Sequence, residues 1–221
     1  MGPNFSQPGV NLITSTDPLL VQIVADLCRD HGCHTVILYG SRARGDFTAT
    51  SDYDILGVRP KGEAERDARL WQGVYLDIFV FPEAKLQAPD ESLIYMLGGK
   101  VLVEKDTIGS DFLGKLQQIF AHGPRALPAD EARAKRVWAQ KMLDRAKVDD
   151  LEGNYRRHWL VMSMLEDYFV LRGRWYQGPK SAFQWLRQHD QEAANAFAKA
   201  MRAHSIIADL AALVQVVVCH D

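Results

Sequence analysis

The sequence predicts an α+β domain, a mixed sheet with flanking helices, followed by an all-α helical bundle. Three observations carry this. Apolar runs at 35–39, 74–81 and 101–104 have the length and the β-branched and aromatic make-up of strands, and all lie in the first half. Gly123-Pro124 and Pro128 then punctuate the chain. From Ala129 onward the apolar spacing is helical, with no convincing strand before the last few residues. The division falls at residue 123, giving domains 1–123 and 124–221.

Taken in order, residues 1–15 carry Gly2, Pro3, Pro8 and Gly9 and read as irregular. Thr16-Asp17-Pro18 is a helix start, with a capping side chain and a proline in the first turn. Leu19, Leu20, Ile23, Val24 and Leu27 continue it at helical spacing to a stop at Gly32. The run 35–39 is apolar throughout, as a central strand would be. Gly40 ends it, and 41–45 opens a short helix. Residues 52–58 form the second strand, 64–71 a helix, 74–81 the clearest strand, 101–104 a short fourth and 110–121 a helix. In the second half the helices are 129–151, 154–172, 180–188, 192–204 and 206–218. The second of these has Trp159, Met162, Leu165 and Phe169 on one side.

At 221 residues, with 47% hydrophobic and 24% charged positions, the chain can bury a real core. A net charge of −2 and a pI near 6.4 give no footprint for a long nucleic acid. Arg42/Arg44 and Arg156/Arg157 are two local basic clusters. Cys28, Cys33 and Cys219 make neither a disulfide framework nor a metal-ligand spacing, and read as reduced thiols of a cytoplasmic protein. Residues 1–16 lack a basic start and an apolar core, so no signal peptide is expected. The run 206–219 is interrupted by Asp209 and Gln215 and is too short for a bilayer, so no membrane partner is expected. His31 and His34 read as capping or solvated.

The chemistry concentrates between residues 38 and 79. Gly40-Ser41 is a small-residue turn behind a buried strand, where backbone can approach a phosphate. Asp52 and Asp54 leave a strand on the same face, because side chains alternate with period two. Two such carboxylates repel each other unless a cation neutralises them. Asp77, between Leu76 and Ile78, is a charge inside an apolar strand and also needs a partner. Each feature has an ordinary reading: a strand-end turn, a Ser/Asp-capped turn, an edge residue facing water. In this order they point to Mg²⁺, which binds through one or two carboxylates plus substrate phosphates.

The order apolar strand, Gly40-Ser41, Arg42-Ala43-Arg44-Gly45, Ser51-Asp52-Tyr53-Asp54 and then Asp77 resembles the nucleotidyltransferase superfamily of DNA polymerase beta. Within it the match is to the minimal and aminoglycoside nucleotidyltransferase branch. The resemblance covers residues 38–79 and is specific for the superfamily, not for a substrate. It implies that Gly40 and Ser41 hold the β- and γ-phosphates of a nucleoside triphosphate. Asp52, Asp54 and Asp77 would be both metal ligands and catalytic groups for a pair of Mg²⁺ ions, with Mn²⁺ able to substitute. Asp77 is placed to take the acceptor's proton. Of Arg42 and Arg44, which would point to different sides of a helix, Arg42 is favoured for the triphosphate.

In the helical half, residues 172–180 combine basic and aromatic groups on a loop. Lys180 is the candidate for a second-domain phosphate lysine, and Trp175 or Tyr176 for stacking on a base or sugar. Glu166 and Asp167 resemble by location the acidic groups with which aminoglycoside-modifying relatives hold their acceptor. HEPN-type ribonuclease bundles need an arginine followed by a histidine at close helical spacing, Arg-x(4–6)-His. No histidine at 122, 158, 189, 204 or 220 has an arginine at that spacing. The expected activity is transfer of a nucleoside monophosphate, AMP from ATP, to a hydroxyl of a small acceptor, aminoglycoside-like as one instance. A homodimer is compatible with this. The alternatives are an antitoxin-like protein adenylyltransferase and a non-catalytic nucleotide-binding module.

Overall fold

A computed structural model describes residues 10–12 and 16–219. The chain divides into two compact units, Met1–His122 and Gly123–Asp221.

In the first unit, Asp17 caps α1 (Pro18–Asp30), accepting from the N–H groups of Leu19 and Leu20. The strands are β1 (Val10–Leu12), β2 (Thr35–Tyr39), β3 (Tyr53–Arg59), β4 (Glu65–Trp71), β5 (Val74–Pro82) and β6 (Lys100–Lys105). They form one sheet in the order β1-β6-β2-β3-β5-β4, mixed because β3 and β5 run parallel while the other pairs are antiparallel. The central strands alternate between two cores. Val36, Leu38, Ile55, Ile78 and Val80 pack on the apolar stripe of α1. Ile37, Leu56, Val58 and Phe81 face α3 (Glu83–Gln87), α4 (Ile108–His122) and a 3₁₀ helix, Glu91–Met96. A sheet buried on both faces explains why these strands read as continuous apolar runs.

Three expectations are corrected. Residues 10–12, expected to be irregular, pair with β6, while 1–9 and 13–15 lie outside the described residues. The helix expected over 64–71 is the edge strand β4. A two-residue turn joins it to β5, with Gln72 at φ 47° and Gly73 at φ 81°. Those are the positive values that a tight hairpin of this kind demands, and pairing with β5 overrides the helical propensity of Ala, Arg and Leu. His34 is buried rather than solvated, with Nδ1 3.0 Å from Thr35 Oγ1. Its Nε2 lies 2.9 Å from Glu83, out of line for a hydrogen bond.

Burial holds the His34 imidazole below its ordinary value, against the opposing pull of Glu83. A depressed folded pKa means the neutral ring's contribution to stability is full above the unfolded value and lost as pH falls through the folded one. The urea midpoint is therefore expected to drop on acidification below about pH 6.5, and His34→Gln to flatten that drop. Equal slopes in the two proteins would remove His34 as its cause.

The second unit holds α5 (Ala129–Arg145), α6 (Leu151–Val170), α7 (Gly178–His189), α8 (Gln191–Ala200) and α9 (Ile207–Val218) around a single apolar cluster. The long helix expected to reach residue 151 ends near 146. Asp150 instead caps α6, accepting from Gly153 N–H at 2.7 Å. The Val run near the C-terminus is helical because Leu210, Leu213, Val214 and Val217 recur on one buried stripe. On α6 the buried face is Leu160, Met164, Leu165, Tyr168 and Phe169, while Trp159 and Met162 are exposed.

Asp167 does not offer a free acidic group. It is buried and accepts from Lys135 Nζ at 2.6 Å. Lys135→Met leaves that carboxylate without its cation. The variant is expected to lose about 1–3 kcal/mol in chemical denaturation, a figure held low because Lys135 is itself partly solvated. An unchanged midpoint would show that the pair contributes nothing net.

Candidate active site

The candidate site lies on the α4-side face of the first unit's sheet. Strand register builds it. Tyr39 on β2 stands opposite Asp54 on β3, and Asp54 stands opposite Asp77 on β5. Directly opposed residues share a face, so these three side chains form one row across three strands. The row ends where β2 turns through Gly40 into α2 (Gly40–Arg44), whose first turn no side chain caps.

Gly40 is required twice over. Its φ is +69°, and a Cβ there would lie 2.1 Å from Asp54 Oδ2. The glycine thus opens the space that the Asp54 carboxylate occupies. Ser41 follows it, half-buried. Burial first, then the charges of Asp52 and Asp77, push the Asp54 carboxyl above its ordinary value, against Arg44 and Arg42. An ionised Asp54 therefore sits at a cost beside these two carboxylates.

The expected trio is only partly assembled. Asp52 precedes β3 and is exposed. Among the described residues, no group of three or more His, Cys, Asp and Glu side chains is disposed to hold a metal ion. Asp77 is not awaiting a cation either. Arg66, on the neighbouring β4, donates from Nε at 2.8 Å to one oxygen and from Nη2 at 2.9 Å to the other. This two-pronged pairing satisfies the charge that the sequence left unexplained. Even so, the donor set fits a hard divalent ion: adjacent carboxylates, acceptor-only, with one destabilised by its neighbours. A cation reaching Asp77 must displace Arg66.

Arg42 is engaged within the protein. Its Nε and Nη2 donate to Ser51 O at 3.1 and 2.8 Å, and Nε also to Asp52 O at 3.1 Å. Its guanidinium lies 3.8 Å from the Tyr53 ring centroid and 5.0 Å from that of Phe47. Arg42 therefore ties α2 to the segment that carries Asp52, with Nε and Nη2 taken up by protein carbonyls. Ser51 shapes the same segment locally, accepting from Thr48 N–H at 2.9 Å.

Sequence reading missed Arg66, Tyr95 and Phe79. Arg66 was hidden by the helical reading of 64–71, although Gln72-Gly73 between two runs was a usable hairpin signal. Tyr95, on the 3₁₀ helix, stacks edge-on against Tyr39 at 5.7 Å between centroids. Both phenols are pushed up by burial first; among the lesser contributions is the Asp77 charge.

In the second unit, Lys180 stands exposed in the first turn of α7, and Glu166 is exposed on α6. The 172–180 loop is largely spent on packing. Arg172 donates to Val216 O and Val217 O at the end of α9 and covers Tyr168, while Arg174 covers Trp185. Tyr176 packs against Phe169.

Comparison with known proteins fits the first unit. Residues 20–113 match the family model described as a nucleotidyltransferase domain. No curated protein matches the sequence. Among solved structures, the chain is similar to a nucleotidyltransferase-like protein from Exiguobacterium sibiricum 255-15, at 9% identity and a TM-score of 0.44. The likeness covers 89% of this chain and 72% of that one. At that level it adds nothing to the reading of the site. Among the described residues, no helix is long and apolar enough to cross a membrane.

Proposed function

We propose, for a chain that carries a nucleotidyltransferase domain over residues 20–113, that the first unit moves a nucleoside monophosphate from a triphosphate to the hydroxyl of a small acceptor. AMP from ATP is the donor chemistry that the motif resemblance favours. The observation that carries the reading is the row Tyr39, Asp54, Asp77 ending at Gly40, whose missing Cβ is filled by the Asp54 carboxylate.

In this reading Asp52, Asp54 and Asp77 would hold Mg²⁺ in the two-metal manner. The bound metal would supply Lewis-acid neutralisation of the phosphates and lower the acceptor's pKa. The chain's own residues do the rest. The uncapped first turn of α2, with Gly40 and the Ser41 hydroxyl, receives triphosphate oxygens. Lys180 in the helical unit is proposed as a further phosphate contact, and residues 124–221 as contributors to acceptor binding. Arg42 positions the Asp52 segment. Asp77, once Arg66 has moved off it, accepts the hydroxyl proton. The acceptor oxygen forms a bond to the α-phosphorus as the bond from that phosphorus to the pyrophosphate oxygen breaks, and pyrophosphate leaves. Most of the rate comes from positioning and charge neutralisation.

Incubation with each of four α-³²P nucleotides, with and without Mg²⁺ or Mn²⁺, tests this across a panel of hydroxyl acceptors. A labelled acceptor and divalent-dependent pyrophosphate release are expected. Absence of both with every nucleotide would overturn the reading.

A further inference from the structure

Beside Asp77 on the same sheet face lies a cavity of about 310 Å³ that the transfer chemistry above leaves unused. Its wall is aromatic. Phe79, two residues along β5 from Asp77, meets Phe81 at 5.7 Å and Tyr95 at 6.3 Å between ring centroids. Tyr95 is 45% exposed, so part of its ring faces the cavity mouth rather than its neighbours Tyr39 and Phe79. Two cations flank the rings: the Arg66 guanidinium at 5.1 Å from Phe79 and the Lys85 ammonium at 3.8 Å from Phe81. Glu65 also borders the cavity, but its carboxylate accepts from Arg59 at 2.6 Å. Arg66 is held by Asp77 in the same way, so the charge facing a ligand is that of Lys85, joined by Arg66 once it leaves Asp77.

Resting on the nucleotidyl-transfer reading, we infer that this cavity is the acceptor's anchoring subsite and that the acceptor is a small hydroxyaryl compound bearing a carboxylate or phosphate. The size suits one ring system with its substituent and lies at the small end of ligand sites. Phe79 and Tyr95 meet the ring faces. Lys85 receives the anionic group, and Arg66 joins it on leaving Asp77. The acceptor hydroxyl then points along β5 to the carboxylate that takes its proton. A polycationic aminosugar fits poorly, since Arg66 and Lys85 repel it and the walls offer it few acceptors. The inference thus turns the acceptor from an aminoglycoside-like cation to an aromatic anion.

Calorimetry on the full chain tests it with 4-hydroxyphenylacetate as the probe and tyramine as its cationic counterpart. The carboxylate probe should bind, and tyramine should bind at least about tenfold more weakly, the ratio one charge-assisted contact commands. Lys85→Glu and Tyr95→Ala, both surface changes, should each weaken the probe by about tenfold or more without altering the affinity for Mg²⁺ and α,β-methylene-ATP. Tyramine binding as tightly as the probe, or variants binding like the wild type, would overturn the subsite. Competitive displacement of the probe by the ATP analogue would also overturn it, making the cavity the nucleotide's. If the wild type binds the analogue but not the probe, the subsite fails while nucleotidyl transfer stands. If it binds the probe but not the analogue, the reverse holds.

Discussion

Asp54→Ala is expected to abolish nucleotidyl transfer and leave the protein folded. Asp54 is the middle member of the row, between Tyr39 on β2 and Asp77 on β5, with Gly40 cleared to make room for it. A metal's stabilisation of transition-state charge is worth several kcal/mol, so losing this ligand should cut kcat/KM by roughly a thousandfold at 1.36 kcal/mol per tenfold. Stability should move the other way. Burial and the charges of Asp52 and Asp77 already oppose the ionised form of Asp54, so removing it relieves repulsion. The variant's thermal transition should match or exceed the wild type's in metal-free buffer. Pyrophosphate release and circular dichroism read the two halves separately. Wild-type turnover in Asp54→Ala would sink the carboxylate site; a collapsed fold would mean Asp54 serves structure instead.

Gly40→Ala should damage both stability and turnover. The alanine must hold φ near +69° and place its methyl 2.1 Å from Asp54 Oδ2. Left-handed backbone for a residue other than glycine costs about 1–3 kcal/mol, before any contact is counted. The contact falls on the group that must not shift, and a displacement of about 1 Å costs on the order of a hundredfold in rate. Gly45→Ala is the control. Gly45 has φ +85°, but a methyl there would meet nothing within 4 Å, so its alanine carries the backbone strain alone. The expected result is a smaller destabilisation at Gly45, which lacks the clash, with turnover lost only at Gly40. Equal turnover in the two variants would mean that the Gly40–Asp54 approach has no part in catalysis.

The legible parts of this molecule are those with short-range causes. Asp17-Pro18 announces α1 because capping and proline act within one turn. The strand 35–39 shows itself because burial on both faces removes polar residues. Gly40 is visible for the same local reason, since it ends a strand at a positive φ. The edge strand β4 was misread because it buries no continuous face. Its Glu-Arg-Asp-Ala-Arg-Leu-Trp composition carries little period-two signal, and only pairing with β5 makes it a strand. The α6 face was misassigned for a related reason: Trp159 and Met162 are apolar, yet packing chose Leu160 and Met164 instead.

The sequence by itself determined the residues of the candidate site: a glycine-serine turn after a buried strand, two aspartates one residue apart, and a third in an apolar strand. Alternation along a strand and the stereochemistry of glycine are properties of a few consecutive residues, so they survive being read without a structure. Tertiary structure decided what surrounds those groups. Register across β3, β5 and β4 puts Asp54 against Asp77 and brings Arg66 onto Asp77, and packing sets Tyr95 and Lys85 beside the cavity next to it. Arg42 was turned inward by the carbonyls of the following loop rather than by its place on α2. Such pairings depend on which strand lies next to which. That is settled by burial of the whole sheet, not by the residues that end up in contact.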